Sequence, residues 1–363
     1  MKIALVHDHL TQDGGAERVL RVLSSLYPAA PIYTLAYRPE RFDPKLTATV
    51  RASFLDHFPF TLWKFEWLLP FMPAATEHYP LREYDMVISS SSSMAKGVLT
   101  RTDALHICYC HTPTRYLWTE MHEYVERLRI PGIAKRILPL YLSRLRQWDR
   151  AAADRVDVFV ANSETVRARI KKFYRRDAEV IYPPVDTHLF SISEAPKTYF
   201  LAGGRIMAYK RFDLIVDAFN RLQLPLKIFG SGPMLEVLKA RAKPNIDFVW
   251  RVSDEEKVRL YQDCIAFIHP QEEDFGIVPV EAMAAGRPVI AYGKGGATET
   301  VIESETGTLF HEQTWEGLVD ALVRFDERRF SPVAIKQFAE RFSRTAFEER
   351  WKAFVSEQYA DRR

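Results

Sequence analysis

Short runs of consecutive apolar residues alternate along this chain with longer segments whose apolar residues recur every three or four positions. The apolar runs are typical of strands buried on both faces of a parallel sheet, and the second pattern predicts amphipathic helices. The strand candidates of the first half are KIALV, PIYTLAY, DMVISSS, ALHICYC and DVFVANS. Helices are predicted between most of them, notably over AERVLRVLSSLY, Leu140–Ala153 and Glu164–Tyr174. Strands that alternate with helices predict an α/β fold with a parallel, doubly wound sheet.

The same alternation starts afresh after Asp186, beyond a Pro-Pro pair and an irregular segment that is typical of an interdomain connection. The strand candidates of the second half are TYFLAGGR, LKIFG, IDFVW, Ile265–Pro270 and PVIAY. Helices are predicted between them over Phe212–Leu222, Met234–Ala242 and Asp254–Asp263, and the chain after Gly307 is predicted to be mainly helical. We therefore expect two α/β domains, residues 1–186 and 187–340, followed by an amphipathic helix within residues 341–363.

Composition narrows the class of protein. The chain has 363 residues, of which 47% are hydrophobic and 27% charged, as in a soluble globular protein. Its net charge of +3 is too small to indicate nucleic acid as a partner. Three cysteines are too few for a disulfide framework, and no signal peptide or membrane-spanning run is visible. We therefore expect a cytoplasmic protein.

The stretch EDFGIVPVEAMAAGRPVIA carries the strongest chemical signal of the chain. Glu273 follows a predicted strand, and Pro279 suits the first position of a helix predicted over Val280–Ala285. Glu281 would then lie in the first turn of that helix, where the helix dipole favours an anion. Both carboxylates would lie at the edge of the sheet where α/β proteins bind ligands. An ordinary helix-end carboxylate and a surface acid would give the same pattern, so this stretch alone leaves both interpretations open.

Two glycine-rich loops also follow predicted strands. Gly14 and Gly15 precede a predicted helix, where backbone N–H groups approach an anion closely. Gly230, Ser231 and Gly232 belong to a GSGP sequence that could pass close to a nucleotide base. A tight turn without a ligand explains each loop equally well.

Arg205 and Lys210 follow the TYFLAGG strand, and their charges oppose the positive end of the next helix. An anionic partner is therefore expected there, and a two-cation clamp for a diphosphate fits this placement. The sequence contains no Asp-x-Asp, HExxH or P-loop motif. We therefore expect no metal ion, and the two cations would neutralise a departing diphosphate.

The first half contributes two further candidates. His111 ends the ALHICYC strand and opens the sequence HTPTRYLW, in which polar and aromatic residues would form the wall of a pocket. The segment Arg127–Arg150 interleaves basic with apolar residues, which fits contact with an anionic membrane. An amphipathic helix pair with a solvated basic face would look the same.

Together, these motifs resemble glycosyltransferase family 4, whose members are retaining enzymes of the GT-B fold. The resemblance extends over nearly the whole chain. Its matches, in chain order, are GGAERV, GR-x4-K at Gly204–Lys210, GSGP at Gly230–Pro233, the Glu-x7-Glu pair, and GGATETV at Gly295–Val301. It implies two Rossmann-like doubly wound domains that face a central cleft, and a C-terminal helix that crosses back to the first domain.

The resemblance also implies a role for each matching residue. Glu281 would hold the ribose hydroxyls of a nucleotide sugar, and Glu273 would hold hydroxyls of the donor sugar together with backbone N–H groups at Phe275, Gly276 and Ile277. The implied donor-binding residues are Gly14, Gly15, Arg205, Lys210, Gly230, Ser231, Gly232, Glu273, Phe275, Gly276, Ile277 and Glu281. The implied catalytic residues are His111, Arg205, Lys210 and Glu273, with His111 beside the anomeric carbon. Retention by front-face attack requires no enzymic nucleophile.

Within the family, HTPTRYLW and the Trp- and Phe-rich first domain look like bacterial mannosyltransferases of O-antigen or exopolysaccharide synthesis. This likeness implies GDP-mannose as the donor, a glycan or polyprenyl-diphosphate-linked acceptor, and peripheral contact with the inner face of the cell membrane. UDP-glucose or UDP-N-acetylglucosamine remains an alternative donor. A nucleotide-sugar epimerase and a binding module without turnover are further alternatives, although the complete set of charged residues argues against the last.

Overall fold

The computed structural model describes residues 1–41, 48–57, 65–128, 130, 132–195, 197–250 and 252–360. The chain forms two compact units, the first comprising Met1–Tyr182 with the segment that begins at Glu348, and the second comprising Pro183–Phe347. The division falls close to the boundary expected at residue 186. Arg129 and residues 58–64 of the Trp- and Phe-rich stretch lie outside the described residues.

Unit 1 is built on a parallel sheet. Its strands are β1 (Ile3–His7), β2 (Ile32–Thr34), β3 (Val50–Ala52), β4 (Met86–Ser91), β5 (Leu105–Cys110), β6 (Val158–Ala161) and β7 (Ala178–Val180). They are arranged in the order β3-β2-β1-β4-β5-β6-β7, and every pairing is parallel. The strand order reverses between β1 and β4, and in open α/β sheets ligands bind beyond the carboxyl ends of strands at such a point. A ligand-binding site is therefore expected among the residues that follow β1, β4 and β5.

Helices cover the sheet of unit 1. They are α1 (Gly15–Leu26), α2 (Met72–Glu77), α3 (Arg115–Trp118), α4 (Met121–Arg127), α5 (Gly132–Asp154) and α6 (Glu164–Tyr174). The apolar stripe of α1 is buried through Val19, Leu20 and Leu23, as the spacing in its sequence predicts. The strands β4 and β5 are buried along their whole length, as expected of central strands in a doubly wound sheet.

Unit 2 repeats this architecture. Its strands are β8 (Tyr199–Gly203), β9 (Leu226–Phe229), β10 (Ile246–Val249), β11 (Cys264–His269), β12 (Val289–Tyr292) and β13 (Gly307–Phe310). They are arranged in the order β10-β9-β8-β11-β12-β13, again with parallel pairings. The order reverses between β8 and β11, so that the loops after Gly203 and His269 lie at the ligand-binding edge.

The helices of unit 2 are α7 (Phe212–Leu222), α8 (Leu235–Arg241), α9 (Asp254–Gln262), α10 (Ile277–Ala284), α11 (Ala297–Thr300), α12 (Trp315–Arg324) and α13 (Pro332–Ala339). Phe200, Phe219 and Ile228 are among the buried side chains of the core between the sheet and its helices. The last helix, α14 (Arg344–Ala360), begins in unit 2 and continues in unit 1. There Trp351 is fully buried and donates a hydrogen bond from its indole nitrogen to the Tyr27 hydroxyl, at 3.0 Å.

The elements differ from the sequence prediction mainly at short strands and at helix starts. The strands β3 and β7 were not predicted, and β13 lies where the chain was expected to be mainly helical. Each of these strands has three or four residues and pairs at or next to a sheet edge, so it carries little apolar signal. No helix in the described parts of the chain combines the length and apolar character needed to span a bilayer.

Candidate functional site

The loop between β11 and α10 carries Glu273, as predicted, and the chain fixes its backbone by a close approach of another loop. The N–H of Gly296 donates a hydrogen bond to the carbonyl oxygen of Glu273 at 2.8 Å. Gly295 has φ +65°, and a side chain there would place a Cβ atom 2.3 Å from the same oxygen. The glycines of GGATETV are therefore needed to hold the Glu273 loop.

The carboxylate of Glu273 forms an ion pair with the ammonium of Lys210, at 2.7 Å between Oε1 and Nζ. Burial by itself would raise the pKa of Glu273, but the charge of Lys210 outweighs it and, with His269 and Gln271, lowers the pKa to about 2. Lys210 ends a short helical turn, Ala208–Lys210, just before α7. The anionic partner expected for this cation is thus supplied by Glu273 of the same unit.

Arg205 is placed differently from Lys210. It lies two residues after β8 with an exposed side chain, whereas Lys210 is buried. The two cations thus both follow β8, as predicted, and differ in their contact with water. Lys210 is held at this edge of the sheet by the carboxylate of Glu273.

Glu281 does not lie where the sequence predicts. Helix α10 begins at Ile277, after Gly276 with φ +90°, so that Glu281 is in its second turn. Glu281 is 3% exposed, and its two carboxylate oxygens contact the Lys257 ammonium at 2.9 Å and the Tyr261 hydroxyl at 3.0 Å. The prediction of a helix mouth at Val280 was wrong because proline is tolerated throughout the first helical turn, where N–H groups lack partners in any case.

The start of α10 leaves backbone donors unused. The N–H groups of Gly276 and Ile277 have no acceptor within the described part of the chain. Phe275 is buried beside them, with its ring 5.4 Å from that of Phe342 in an edge-to-face arrangement. This helix end therefore offers N–H donors to an anion or a hydroxyl oxygen, next to the Lys210–Glu273 pair.

His269 is a residue of this edge that sequence reasoning missed. It ends β11, it is 1% exposed, and neither ring nitrogen has a hydrogen-bond partner within the described residues. Burial lowers its pKa to about 4, so the ring is neutral at physiological pH. The signal that could have identified it is a histidine at the carboxyl end of a buried strand, four residues before Glu273.

The GSGP loop packs against the loop that follows β8 in the same unit. Gly230 has φ +115°, and a Cβ atom there would lie 2.0 Å from the carbonyl oxygen of Gly204. The carbonyl of Ser231 accepts a hydrogen bond from Ile206 at 2.8 Å, and a Cβ atom on Gly232 would lie 2.2 Å from the carbonyl oxygen of Ile206. Close approach to the loop after β8 thus accounts for both glycines. Helix α8 starts only after this loop, at Leu235.

In unit 1, Gly14 precedes α1 as predicted, whereas Gly15 is the first residue of this helix, which begins one residue earlier than expected. Glu17 lies in the first turn of α1 and is 2% exposed, with its Oε1 3.7 Å from His7 Nε2. Burial opposes ionisation of Glu17, yet His7 and the backbone lower its pKa to about 2. Glycine at position 14 leaves room for this carboxylate, because a Cβ atom there would lie 3.0 Å from Glu17 Oε2.

His111 lies directly after β5 and is connected to β1 through a serine. Its Nε2 lies 2.8 Å from the hydroxyl of Ser90, and this hydroxyl lies 3.1 Å from Nδ1 of His7. The ring of His111 packs edge-on against Tyr109, at 5.1 Å between centroids. Burial lowers the pKa of His111 to about 4. Neither His7 nor Ser90 was identified from the sequence.

The rest of HTPTRYLW is anchored by a buried acid that the sequence analysis left out. Asp149 on α5 accepts hydrogen bonds from Thr114 at 2.7 Å and from the indole of Trp118 at 2.8 Å. It also accepts from the Tyr174 hydroxyl at 2.9 Å and forms an ion pair with the buried Lys96 at 2.6 Å. These contacts fix the segment that follows His111 and give it a structural role.

Comparison with known proteins agrees with this architecture. A sequence model described as Glycosyltransferase Family 4 matches residues 13–189, and one described as Glycosyl transferases group 1 matches residues 188–346. The chain is 24% identical over 277 residues to alpha-1,3/1,6-mannosyltransferase ALG2 of Dictyostelium discoideum, covering 63% of this chain and 64% of that protein. It is 29% identical over 132 residues to O-antigen chain mannosyltransferase C of Escherichia coli, covering 34% of this chain and 36% of that protein. The chain thus covers less than two thirds of each relative.

Solved structures show the same fold over the full length. The structure of Anabaena Alr3699/HepE in complex with UDP and glucose superposes with a TM-score of 0.72 at 18% identity, covering 98% of this chain and 99% of that one. The expected GT-B fold of two Rossmann-like domains is therefore confirmed. The comparisons lend the epimerase alternative no support.

Proposed function

Because this chain belongs to glycosyltransferase family 4, we propose that it is a retaining hexosyltransferase that transfers mannose from GDP-mannose to a glycan or polyprenyl-diphosphate-linked acceptor. The observation that carries the proposal is the largely buried Lys210–Glu273 pair, which lies next to N–H groups of α10 that have no acceptor among the described residues. This arrangement places a cation, a carboxylate and backbone donors at one sheet edge. A nucleotide sugar presents a diphosphate and hydroxyl groups, which these three kinds of group bind.

In the proposed complex, the ammonium of Lys210 binds the diphosphate together with Arg205. Breaking the bond between the anomeric carbon and the diphosphate oxygen leaves additional negative charge on the diphosphate. Cations already held in place stabilise that charge at little cost of reorganisation. The acceptor hydroxyl attacks from the same face and passes its proton to the departing phosphate oxygen, so the anomeric configuration is retained and no metal ion takes part.

Glu273 and the N–H groups of Gly276 and Ile277 are assigned to hydroxyls of the donor sugar. Glu281 is assigned to the ribose hydroxyls. Each carboxylate oxygen has two lone pairs, so an oxygen that already contacts Lys257 or Tyr261 can still accept a bond from a hydroxyl. In unit 1, we assign His111 to the donor sugar.

The identity of the donor is supported by the relatives. The two named above are mannosyltransferases, and the resemblance of HTPTRYLW to bacterial mannosyltransferases points the same way. A UDP-sugar remains the alternative, because the structurally similar Alr3699/HepE was solved with UDP and glucose.

A donor panel tests the proposal. The purified full chain is incubated with GDP-mannose, UDP-glucose or UDP-N-acetylglucosamine and a polyprenyl-diphosphate-linked oligosaccharide, with and without EDTA. We expect transfer from GDP-mannose, an α-linked product by NMR, and full activity in EDTA. Transfer from a UDP-sugar alone would overturn the donor assignment, and an inverted linkage or strict metal dependence would overturn the mechanism.

We further propose that α5 contacts an anionic membrane surface. Ile133, Ile137 and Leu140 recur at helical spacing and are 77%, 57% and 71% exposed, which is unusual for large apolar side chains on one helix face. Arg136 and Arg144 on the same helix are exposed as well. Apolar side chains with neighbouring cations are the combination that binds interfaces of anionic lipids.

A further inference from the structure

Four polar side chains of unit 1 form a line that ends at His111. They are Glu17 on α1, His7 at the end of β1, Ser90 on β4 and His111 after β5. Strand register sets the line, because His7 pairs with Ser90 and the N–H of His111 donates to the carbonyl oxygen of Ser91 at 2.8 Å. The successive contacts are 3.7 Å from Glu17 to His7, 3.1 Å from His7 to Ser90 and 2.8 Å from Ser90 to His111.

The number of hydrogens available on Ser90 and His111 limits which atoms donate and which accept along this line of side chains. The hydroxyl of Ser90 has one hydrogen and lies between two ring nitrogens, so it donates to one and accepts from the other. Burial keeps the His111 ring neutral, since its pKa lies at about 4, and one of its two nitrogens therefore carries the proton. The direction in which the hydrogen bonds run from one side chain to the next decides which nitrogen of His111 carries this proton.

Glu17 sets that direction. Its pKa of about 2 makes it a carboxylate at neutral pH, and a carboxylate only accepts hydrogen bonds. Nε2 of His7 faces this carboxylate and is therefore favoured to carry a hydrogen, which leaves Nδ1 to accept from Ser90. Ser90 in turn accepts from Nε2–H of His111. The other nearby carboxylate, Asp8, instead accepts from the backbone N–H groups of Ser92 and Ala95, at 2.6 and 2.7 Å.

The ring nitrogen of His111 that points away from Ser90 is Nδ1, and it has no hydrogen-bond partner among the described residues. This atom is not among the fully buried polar atoms that lack a partner. It is therefore the ring atom that remains for a ligand.

We propose that Glu17, His7 and Ser90 are positioning residues that hold His111 as the Nε2–H tautomer, so that Nδ1 accepts a hydrogen bond from a sugar hydroxyl. The identification of the ligand as a sugar rests on the proposed function, whereas the tautomer of His111 does not depend on it. A histidine fixed in this way recognises a hydroxyl that donates and rejects an oxygen without a hydrogen. It also contributes no positive charge near the anomeric carbon.

Histidine side-chain 15N NMR of the full chain at neutral pH tests the tautomer directly, with the His111 signal identified by its loss in His111→Gln. We expect the shift pattern of an Nε2–H ring in the wild type and a mixture of tautomers in Ser90→Ala. Ser89→Ala is the matched control. Ser89 is the neighbouring residue on β4, is equally buried and makes the same kind of contact to His106 Nε2, at 2.9 Å. This control should change His106 and leave His111 unchanged.

Kinetics of the same variants test the positioning role. With the transferred sugar as substrate, Ser90→Ala should lower kcat/KM about tenfold, the effect of losing one well-aligned hydrogen bond, while Ser89→Ala stays near wild type. If Ser90→Ala does not fold, Glu17→Gln keeps the shape and removes the charge, and it should also mix the tautomers. An Nδ1–H ring in the wild type, or an unchanged His111 signal in Ser90→Ala or Glu17→Gln, would overturn the proposal. A wild type that transfers no sugar from any donor would refute the proposed function, and the NMR result would still decide the tautomer.

Discussion

Lys210 and Glu273 neutralise each other at a place that water reaches only in part, with 10% and 16% of their side chains exposed. The removal of one partner from such a pair leaves the other charge buried and uncompensated, which destabilises a protein more than the pair itself stabilised it. Lys210 therefore affects the stability of the protein as well as its proposed chemistry.

We predict that Lys210→Ala loses transferase activity and also about 3 kcal/mol of unfolding free energy. The double variant Lys210→Ala/Glu273→Gln should recover most of that stability, because the lone carboxylate is gone, and should stay inactive. Denaturant unfolding and product formation measure the two effects separately.

Arg241→Ala is the control, since Arg241 pairs with Asp217 on the surface of the same unit and exposed pairs contribute about 0–1 kcal/mol. If Lys210→Ala proves as stable as the wild type, the buried ion pair has no structural role. A double variant with normal turnover would remove both residues from the mechanism.

At the residue scale, the sequence identified the right loop and missed most of the partners. Glu273 could be placed beyond a strand because the apolar run before it is short and ends at His269–Pro270. Its pairing with Lys210 could not be predicted, because the strand order that brings β8 beside β11 is not encoded in local spacing. The contacts of Glu281 were missed for the same reason, since Lys257 and Tyr261 lie on another helix.

At the element scale, helix α5 shows why helix starts are hard to predict. The sequence predicted a helix over Leu140–Ala153, whereas the helix begins at Gly132 and includes Pro139, a residue type that is disfavoured in a helix interior. The added turns carry Ile133 and Ile137, which with Leu140 form the exposed apolar face. The mistake therefore concealed the geometry of the proposed membrane contact.

We predict that the full chain binds vesicles that contain phosphatidylglycerol, and that Ile137→Ser with Leu140→Ser weakens this binding several-fold. The physical reason is the loss of apolar area buried in the interface, which contributes about 25 cal/mol per Å². Co-sedimentation at low and high salt measures it, and salt should weaken the binding because charges contribute.

Val323→Ser with Val333→Ser serves as the control. These valines are 69% and 67% exposed on α12 and α13, away from α5 in the chain. If vesicle binding is unchanged in the α5 variant, or is reduced equally in the control, the exposed face of α5 does not contact the membrane.

At the scale of the whole chain, the repeated alternation of strands and helices was sufficient to predict two doubly wound units. The physical reason is that both sheets are parallel, so that each central strand is buried on two faces and gives a continuous apolar run. The short strands β3, β7 and β13 are each stabilised by pairing with a neighbouring strand, and pairing leaves no mark in the local sequence. The His7–Ser90–His111 line depends in the same way on the register of three strands that are distant in sequence.

Buried histidines make the stability of both units depend on pH. Burial lowers the pKa of His106 and His111 in unit 1, and of His269 in unit 2, to about 4 from the ordinary value of 6.5. Below pH 6.5 the unfolded chain binds protons that the folded chain excludes, so the stability present above pH 6.5 is lost as the pH falls towards 4. Glu17 and Glu273, with pKa values of about 2 against 4.5, add a second loss between pH 4.5 and 2.

The loss of stability between pH 6.5 and 4 can be tested at a single residue, His269. Its ring nitrogens are buried without partners, so His269→Phe removes an unsatisfied polar group and a titrating group in one change. We predict that this variant is more stable than the wild type by about 1–2 kcal/mol at pH 7, and that the difference grows on the order of 3 kcal/mol further as the pH falls from 6.5 to 4. Denaturant unfolding across this range measures both. His188→Phe makes the same substitution at an exposed histidine of the same unit and provides the control. A His269→Phe curve parallel to the wild type would mean that this ring is not a source of the acid sensitivity.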